Sequence, residues 1–509
     1  MNRNLRLTRH VAWALLVQYV VASVNPACEA APPNIVIVLA DDLGYGDVQT
    51  LNADSTIPTP NLDRLAKQGL TFTDAHSPSA VCTPTRYGLL TGRYCWRIMR
   101  SGVLGGYSPP LLEPGRRTIA NLLKQRGYQT HAIGKWHLGM ELPMLDATVK
   151  GDVTKWQGDP GVRFDGVIAD SPIHHGFDHY FGVTASLDMA PYVFVRDDRF
   201  TQLPTIQQPA VPFPHYVRAG PRAEDFVIDQ VLDTLLQEAQ QAINRMAPAA
   251  EPYFLYLPLT GPHKPTQPAA RFRGNTALGE YGDFVHQVDW TVGQLLETIA
   301  QTGESDNTLV IFTSDNGSYM YRYDDASTPD HVDDHSIQGF RAEHHRANGP
   351  LRGTKADIWE AGHRVPFFVR WPAELEANQR VHATICLTDI YATVAEIVGT
   401  ELGPDEAEDS SSIAAALRGA SYTRGAPVVH HSSAGMFAIR DQQWKLVCGT
   451  GSGGRQQPRG EIFGTPYQLY NLEEDIAETQ DVAEQHPQIV AELTAKLETI
   501  RESGRSFER

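Results

Sequence analysis

Residues 79–93 read SAVCTPTRYGLLTGR, a Pro-punctuated stretch that reads as a turn at the rim of the fold and sets one thiol, Cys82, four positions ahead of a guanidinium, Arg86. Free cysteine usually behaves as a small buried hydrophobe, so chemistry at Cys82 needs other groups beside it. Asp41-Asp42 and Asp315-Asn316 offer only oxygen donors, which suit a hard cation, Ca²⁺ or Mg²⁺, whereas a catalytic zinc pair would call for histidines at such places. Either pair alone reads as a helix cap or a turn. Both together, each closing an apolar run, read as a metal site. Lys135, His137, His263 and Lys355 add two ammonium groups and two imidazoles, a set that would hold a tetrahedral oxyanion and neutralise charge on a leaving oxygen.

The elements that must position these residues are visible as short apolar runs: Asn34 to Ala40 (NIVIVLA), Thr130 to Ile133, Tyr253 to Leu259 (YFLYLPL), Leu309 to Thr313 (LVIFT) and Pro366 to Arg370 (PFFVR). Amphipathic stretches such as Pro60 to Gly69 and Thr118 to Gly127 alternate with them and close on a glycine, as helices often do. The alternation predicts an α/β fold with a large, mostly parallel sheet flanked by helices. Asp41-Asp42, Lys135-Trp136-His137, Gly261-Pro262-His263 and Asp315-Asn316 then fall just beyond strand carboxyl ends, the edge where open α/β sheets bind ligands. Residues 319–352, with His331, His335, His344 and His345, read as one long functional loop. His363, shortly after, reads as a neighbour that orients the chain.

Past the polar stretch GPDEAEDSSS, strand patterns at Met436 to Arg440, Trp444 to Val447 and Tyr467 to Leu472, a hairpin through Asp441-Gln442-Gln443 and a last helix near Ile489 to Glu502 suggest a small C-terminal α+β unit on a short antiparallel sheet. The expected division is a leader over 1–30, a catalytic α/β domain over 31–424 and the C-terminal unit over 425–509. The leader reading rests on a basic start, an interrupted apolar run from Val11 to Val24 and small residues up to Ala30. It implies export to a periplasm or the exterior, or a lysosomal-type route in a eukaryote, with no integral membrane segment in the mature chain.

Loss of that leader takes three Arg and one Glu, moving the formal charge from -17 to -19. So acidic a chain argues against a nucleic-acid partner, which requires a basic footprint. An anionic substrate must therefore meet local positive charge set against the global field. Cys82, Cys95, Cys386 and Cys448 are too sparse for a disulfide framework and contain no CxxC pair; the last three read as free or structural.

The chain resembles the formylglycine-dependent sulfatases, arylsulfatase A-like members of the alkaline phosphatase superfamily. The resemblance rests on CTPTR and the following LTGR, and on NIVIVLADDLGYGD, GKWHLG, GPHKP, SDNG and RGTKADIWEAG, over residues 33 to 400. It implies that Cys82 is converted to 3-oxoalanine (formylglycine) by a formylglycine-generating or anaerobic sulfatase-maturating enzyme. The hydrated aldehyde has two hydroxyls: one attacks sulfur, and the other loses its proton so that the sulfated intermediate collapses. It further implies Ca²⁺, rather than Mg²⁺, on Asp41, Asp42, Asp315 and Asn316, with modified Cys82 also touching the ion. Arg86 would steady the diol, His137 help to break down the intermediate, Lys135 and Lys355 grip sulfate oxygens, and His263 protonate the leaving oxygen. Ser186, in FGVTASLD, falls at a further sulfate-contacting position. Asn316 as a ligand would leave the triplet Asn316-Gly317-Ser318 unglycosylated.

The expected function is hydrolysis of sulfate esters, with sulfated carbohydrates such as glycosaminoglycans as substrates by analogy. The alternatives are a phosphodiesterase or phosphonate monoester hydrolase of the same superfamily and, from another class, an inactive calcium-dependent glycan-binding protein.

Overall fold

A computed structural model describes residues 31–146 and 159–508. The proposed leader, residues 1–30, lies outside the described residues. The central sheet has ten strands. Their order across it is Gln379–Val381, Leu70–Phe72, Phe367–Arg370, Thr308–Ser314, Asn34–Asp41, Tyr253–Pro262, Gln129–Lys135, His179–Val183, Val195–Arg196 and Arg199–Phe200. From Thr308–Ser314 to His179–Val183 all neighbours are parallel. Phe367–Arg370 joins this block antiparallel to Thr308–Ser314, and the other edge turns antiparallel beyond His179–Val183. The PFFVR run is thus a strand as expected, but of opposite direction.

The central strands are apolar on both faces because both are covered. Asn34–Asp41, Tyr253–Pro262 and Thr308–Ser314 are buried at every residue, and each fully buried Val, Ile or Leu side chain contributes about 1.5–3 kcal/mol relative to exposure. Two groups of helices flank the sheet: Pro60–Lys67, Val231–Met246 and Gly279–Gln301 pack together, as do Cys82–Thr91, Ile119–Gln125 and Asp389–Ile397. Local sequence sets their ends. Pro60 stands at a first helical position, where its missing N–H is no loss. Thr118 Oγ1 accepts the Asn121 N–H while Asn121 Oδ1 accepts the Thr118 N–H, closing a reciprocal cap. Gly92, at φ +65°, ends Cys82–Thr91 in the left-handed conformation.

At the C-terminus Val428–His431, Phe437–Asp441, Trp444–Val447 and Gln468–Asn471 form a meander of antiparallel neighbours. The helix Pro487–Glu502 lays Leu493, Leu497 and Ile500 onto it, in a cluster that also contains Tyr94, Trp96 and Cys386. A buried polar seam runs beside this cluster. Lys445 Nζ lies 3.0 Å from Glu360 Oε1, 2.8 Å from Glu478 Oε1 and 3.1 Å from His363 Nε2. His363 Nδ1 is 3.1 Å from His76 Nδ1, His76 pairs with Asp74 at 2.9 Å, and the His363 ring stacks on His430 at 3.8 Å. Residues 319–352 are not all loop: Tyr321–Tyr323 pairs parallel with Gly339–Arg341.

Candidate active site

Cys82 is the first residue of the helix Cys82–Thr91, whereas its Pro-punctuated context had read as a turn. Val81 ahead of it is extended, and Pro84 sits in the first turn, where helical N–H groups have no intrahelical partner and a proline is tolerated. The helix amino end carries partial positive charge, which favours an anion beside residue 82. All ten residues of this helix are buried, because it is wedged between the sheet and other helices rather than exposed on a rim.

The strand ends deliver the oxygen donors. Asp41 ends Asn34–Asp41, and Asp42 follows in the left-handed region at φ +66°, an arrangement that costs of order 1 kcal/mol in a non-glycine residue and typifies functional sites. The Asp42 N–H donates to Asp315 Oδ1 at 3.2 Å, and Asn316 Nδ2 donates to Asp42 Oδ1 at 2.6 Å. Arg86 donates from Nε and Nη2 to Asp315 Oδ2 at 3.1 and 2.8 Å and from Nη1 to the Lys135 carbonyl at 2.8 Å. Lys135 Nζ lies 2.7 Å from Asp41 Oδ2, and Lys355 Nζ lies 2.6 and 2.8 Å from the two Asp42 oxygens and 3.4 Å from Cys82 Sγ. Cys82 Sγ in turn lies 3.7 Å from Asp41 Oδ1. Gly134, before Lys135, permits the close approach of this segment: a Cβ there would stand 1.9 Å from the Pro258 carbonyl oxygen.

The charges say what this cluster can hold. Burial pushes Asp41 up to about 7 despite Lys135 and Arg86, so keeping this carboxylate ionised is costly without a further cation beside it. Asn316 Oδ1 is buried without a hydrogen-bond partner. An orphaned amide oxygen beside three buried carboxylates fits a hard divalent cation. Ligand atoms of Asp41, Asp42, Cys82 and His263 also lie within 4.8 Å of one another. Asp315 is held low by Arg86 against the effect of burial. Burial lifts the Cys82 thiol to about 12, with Lys135 and Lys355 only partly opposing it. An unmodified thiol here is therefore protonated and a poor nucleophile.

The histidines are neutral. Burial, then Lys135 and Arg86, hold His137 well below the ordinary imidazole range, and burial, then Lys355 and Lys135, do the same to His263. His137 Nε2 meets the Leu104 carbonyl at 2.7 Å and leaves Nδ1 buried without a partner; like Asp42, it is left-handed, at φ +59°. His263 Nδ1 donates to the Lys264 carbonyl at 2.6 Å, leaving Nε2 3.5 Å from Asp42 Oδ2.

A cavity of ≈ 330 Å³ opens onto Cys82, His137, Ser186, His263 and Lys355. Ser186 Oγ is buried there without a partner. Asp41, Asp42, Cys82, Arg86, Lys135, His137, Ser186, His263, Asp315, Asn316 and Lys355 thus all fall in the cluster or on this cavity, whereas His331, His335, His344 and His345 do not line it. Nor does His363; it belongs to the seam beside the C-terminal sheet. Sequence reasoning missed Asp188, Tyr216, Arg218, Lys264 and Arg455, which also line the cavity. Lys264 stood in view inside GPHKP, whereas Arg455 comes from a glycine-rich C-terminal loop with no local signal.

Residues 33–400 match the model of the Sulfatase family. An N-acetylgalactosamine-6-O-sulfatase of Bacteroides thetaiotaomicron is 33% identical over 506 residues, covering 92% of this chain and 93% of the relative. The N-acetylgalactosamine-6-sulfatase of Canis lupus familiaris is 29% identical, covering 85% and 75%. A solved structure from work on the metabolism of multiple glycosaminoglycans by Bacteroides thetaiotaomicron superposes with a TM-score of 0.79 at 30% identity, covering 93% of this chain and 100% of that one. A sulfatase from Pseudoalteromonas sp., at a TM-score of 0.69 and 24% identity, covering 94% and 92%, shares the fold. With the family match spanning most of the chain and a relative this similar over nearly its whole length, the chain belongs to the sulfatase family and is a sulfuric ester hydrolase.

Proposed function

We propose that the enzyme removes sulfate from sulfated carbohydrates, using a formylglycine made from Cys82 and a Ca²⁺ ion. The observation that carries this reading is the convergence of Cys82 and Lys355, which line the cavity, with Lys135 and four oxygen-donor residues in one hydrogen-bonded cluster at the amino end of a helix. Asp41, Asp42, Asp315 and Asn316 would hold the cation, which supplies fixed positive charge to a sulfate oxygen and to the modified residue. Formylglycine, as its hydrate, supplies one hydroxyl able to attack sulfur and a second able to lose a proton; a thiol near 12 supplies neither.

The chain's own residues do the rest. Arg86, fixed by Asp315 and the Lys135 carbonyl, orients residue 82. Lys135 and Lys355 exchange part of their contact with Asp41 and Asp42 for sulfate oxygens. His137 is placed to take a proton at its partnerless Nδ1. His263 would deliver one from Nε2 to the departing oxygen, its affinity for that proton raised by the arriving sulfate charge. Sulfated carbohydrate as the substrate class is supported by the names of two relatives, both N-acetylgalactosamine 6-sulfatases. Export and maturation by a separate enzyme complete the proposal. Among the described residues no helix is long and apolar enough to cross a membrane.

The test is release of sulfate and of phosphate from paired aryl esters by purified protein whose Cys82 peptide has been verified as the aldehyde. Faster phosphate release would refute the assignment in favour of a phosphoesterase.

A further inference from the structure

We propose that Lys264 and Arg455 form a second anion-binding position in the substrate cavity, which engages a second negative group, a sulfate ester or a carboxylate, on the same sugar chain. This rests on the sulfatase reading above and narrows its substrate class to polyanionic saccharides.

Lys264, Lys355, Arg218 and Arg455 are the cations that line the cavity. Two are already neutralised: Lys355 by Asp42, and Arg218 by Asp188, the carboxylate that shares the lining. Among the described residues no carboxylate lies within ion-pair distance of Lys264 or Arg455. The Lys264 ammonium rests instead over aromatic faces, 5.4 Å from the Tyr216 centroid and 5.7 Å from that of Tyr319. Such contacts hold a cation in place without cancelling its charge. The Arg455 loop is pinned where its backbone N–H donates to Asp357 Oδ1 at 2.6 Å, and its guanidinium Nη1 is buried with no hydrogen-bond partner.

A protein with 60 acidic against 43 basic residues has no shortage of carboxylates to pair with these two. Leaving half-buried cations unpaired in one pocket destabilises the free protein, and the cost is visible at Lys264, which burial and then Arg455 and Lys355 pull down to about 8. An incoming anion relieves that repulsion. Lys135 and Lys355 attend the sulfate at residue 82, so Lys264 and Arg455 serve a different group of the same substrate.

The experiment compares N-acetylgalactosamine 6-sulfate, its 4,6-disulfate and a disaccharide of hexuronate with N-acetylgalactosamine 6-sulfate, using wild type, Lys264→Gln and Arg455→Gln, with an aryl sulfate as control. Hydrogen bonds between charged groups predict that wild type favours one dianionic substrate about tenfold or more in kcat/KM. Each variant should lose about tenfold on that substrate and less than about threefold on the monosulfate. The preferred arm tells sulfate from carboxylate. No dianion preference in wild type overturns the proposal without recourse to a variant, as do equal losses on all substrates. Release of sulfate from none of the four, the aryl ester included, refutes the sulfatase reading itself.

Discussion

Lys445→Met tests the seam that ties the C-terminal sheet to the catalytic body. Lys445 is the cation within ion-pair reach of Glu478, whereas Glu360 keeps Arg364 at 3.3 Å after the change. All of Lys445, Glu360 and Glu478 are fully buried, so water cannot replace the lost ammonium. Removing one partner of a buried ion pair costs about 3–5 kcal/mol. Glu478 limits that cost by taking up a proton, because burial already pushes it up to about 7 even with Lys445 present. A carboxyl raised in the folded state contributes stability below its unfolded value, near 4.5, and loses it as pH rises through about 7. Without Lys445 that folded value climbs further. The penalty is therefore small near about pH 5, with Glu478 protonated, and grows by about 1.4 kcal/mol per pH unit above about 7, to about 3 kcal/mol near pH 9. Unfolding of residues 33–509 as a unit carries roughly 1 kcal/mol/K of entropy, so the midpoint should fall by about 3 °C near pH 9. Circular dichroism melts at the two pH values measure this, and adding Glu478→Gln should restore most of the loss. A drop under about 1 °C, or one equal at both pH values, would refute the reasoning.

Cys82→Ala should abolish sulfate release and lower stability by only about 1 kcal/mol, read by activity and a parallel melt; mass spectrometry of the wild-type Cys82 peptide should show a loss of about 18 Da against the thiol. His263→Ala should reduce turnover of alkyl sulfates by about 100-fold and of activated aryl sulfates far less, since a good leaving group needs little protonation; equal losses would remove His263 from the acid role. A calcium chelator should abolish activity, and calcium at about a hundred times its Kd should return about 2.7 kcal/mol of stability, read as a raised midpoint. His363, His430 and His431 are held neutral, chiefly by burial, with His431 at about 4. Their unfolded forms take up protons first, so stability should decline as pH falls below about 6.5, a slope that denaturant titration at several pH values will show.

The central strands and the rim were legible because burial on both faces leaves an unbroken apolar run, and because several such runs each lead into polar residues, which a cap or a turn explains singly but not together. Asp41, Lys135, His263 and Asp315 were found that way. The helix at Cys82 was not, since Pro84 is as acceptable in a first helical turn as in a loop. The strand pair Tyr321–Tyr323 and Gly339–Arg341 escaped because three-residue strands carry no periodicity. Arg455 and the His76–His363–Lys445 seam were beyond reach for another reason: their partners are supplied by distant parts of the chain, and neither composition nor spacing encodes a contact of that kind.

Cys82 meets Asp41 across 41 positions, Lys135 meets Asp41 across 94, and Asn316 and Lys355 reach Asp42 across 274 and 313. No partly folded chain that lacks the segment around residue 355 can hold these groups together. Catalytic activity is thus a reporter of cooperative assembly: on refolding it should return with the slowest long-range step, after secondary structure has formed. In denaturant it should vanish with the global transition rather than through early fraying of a local segment.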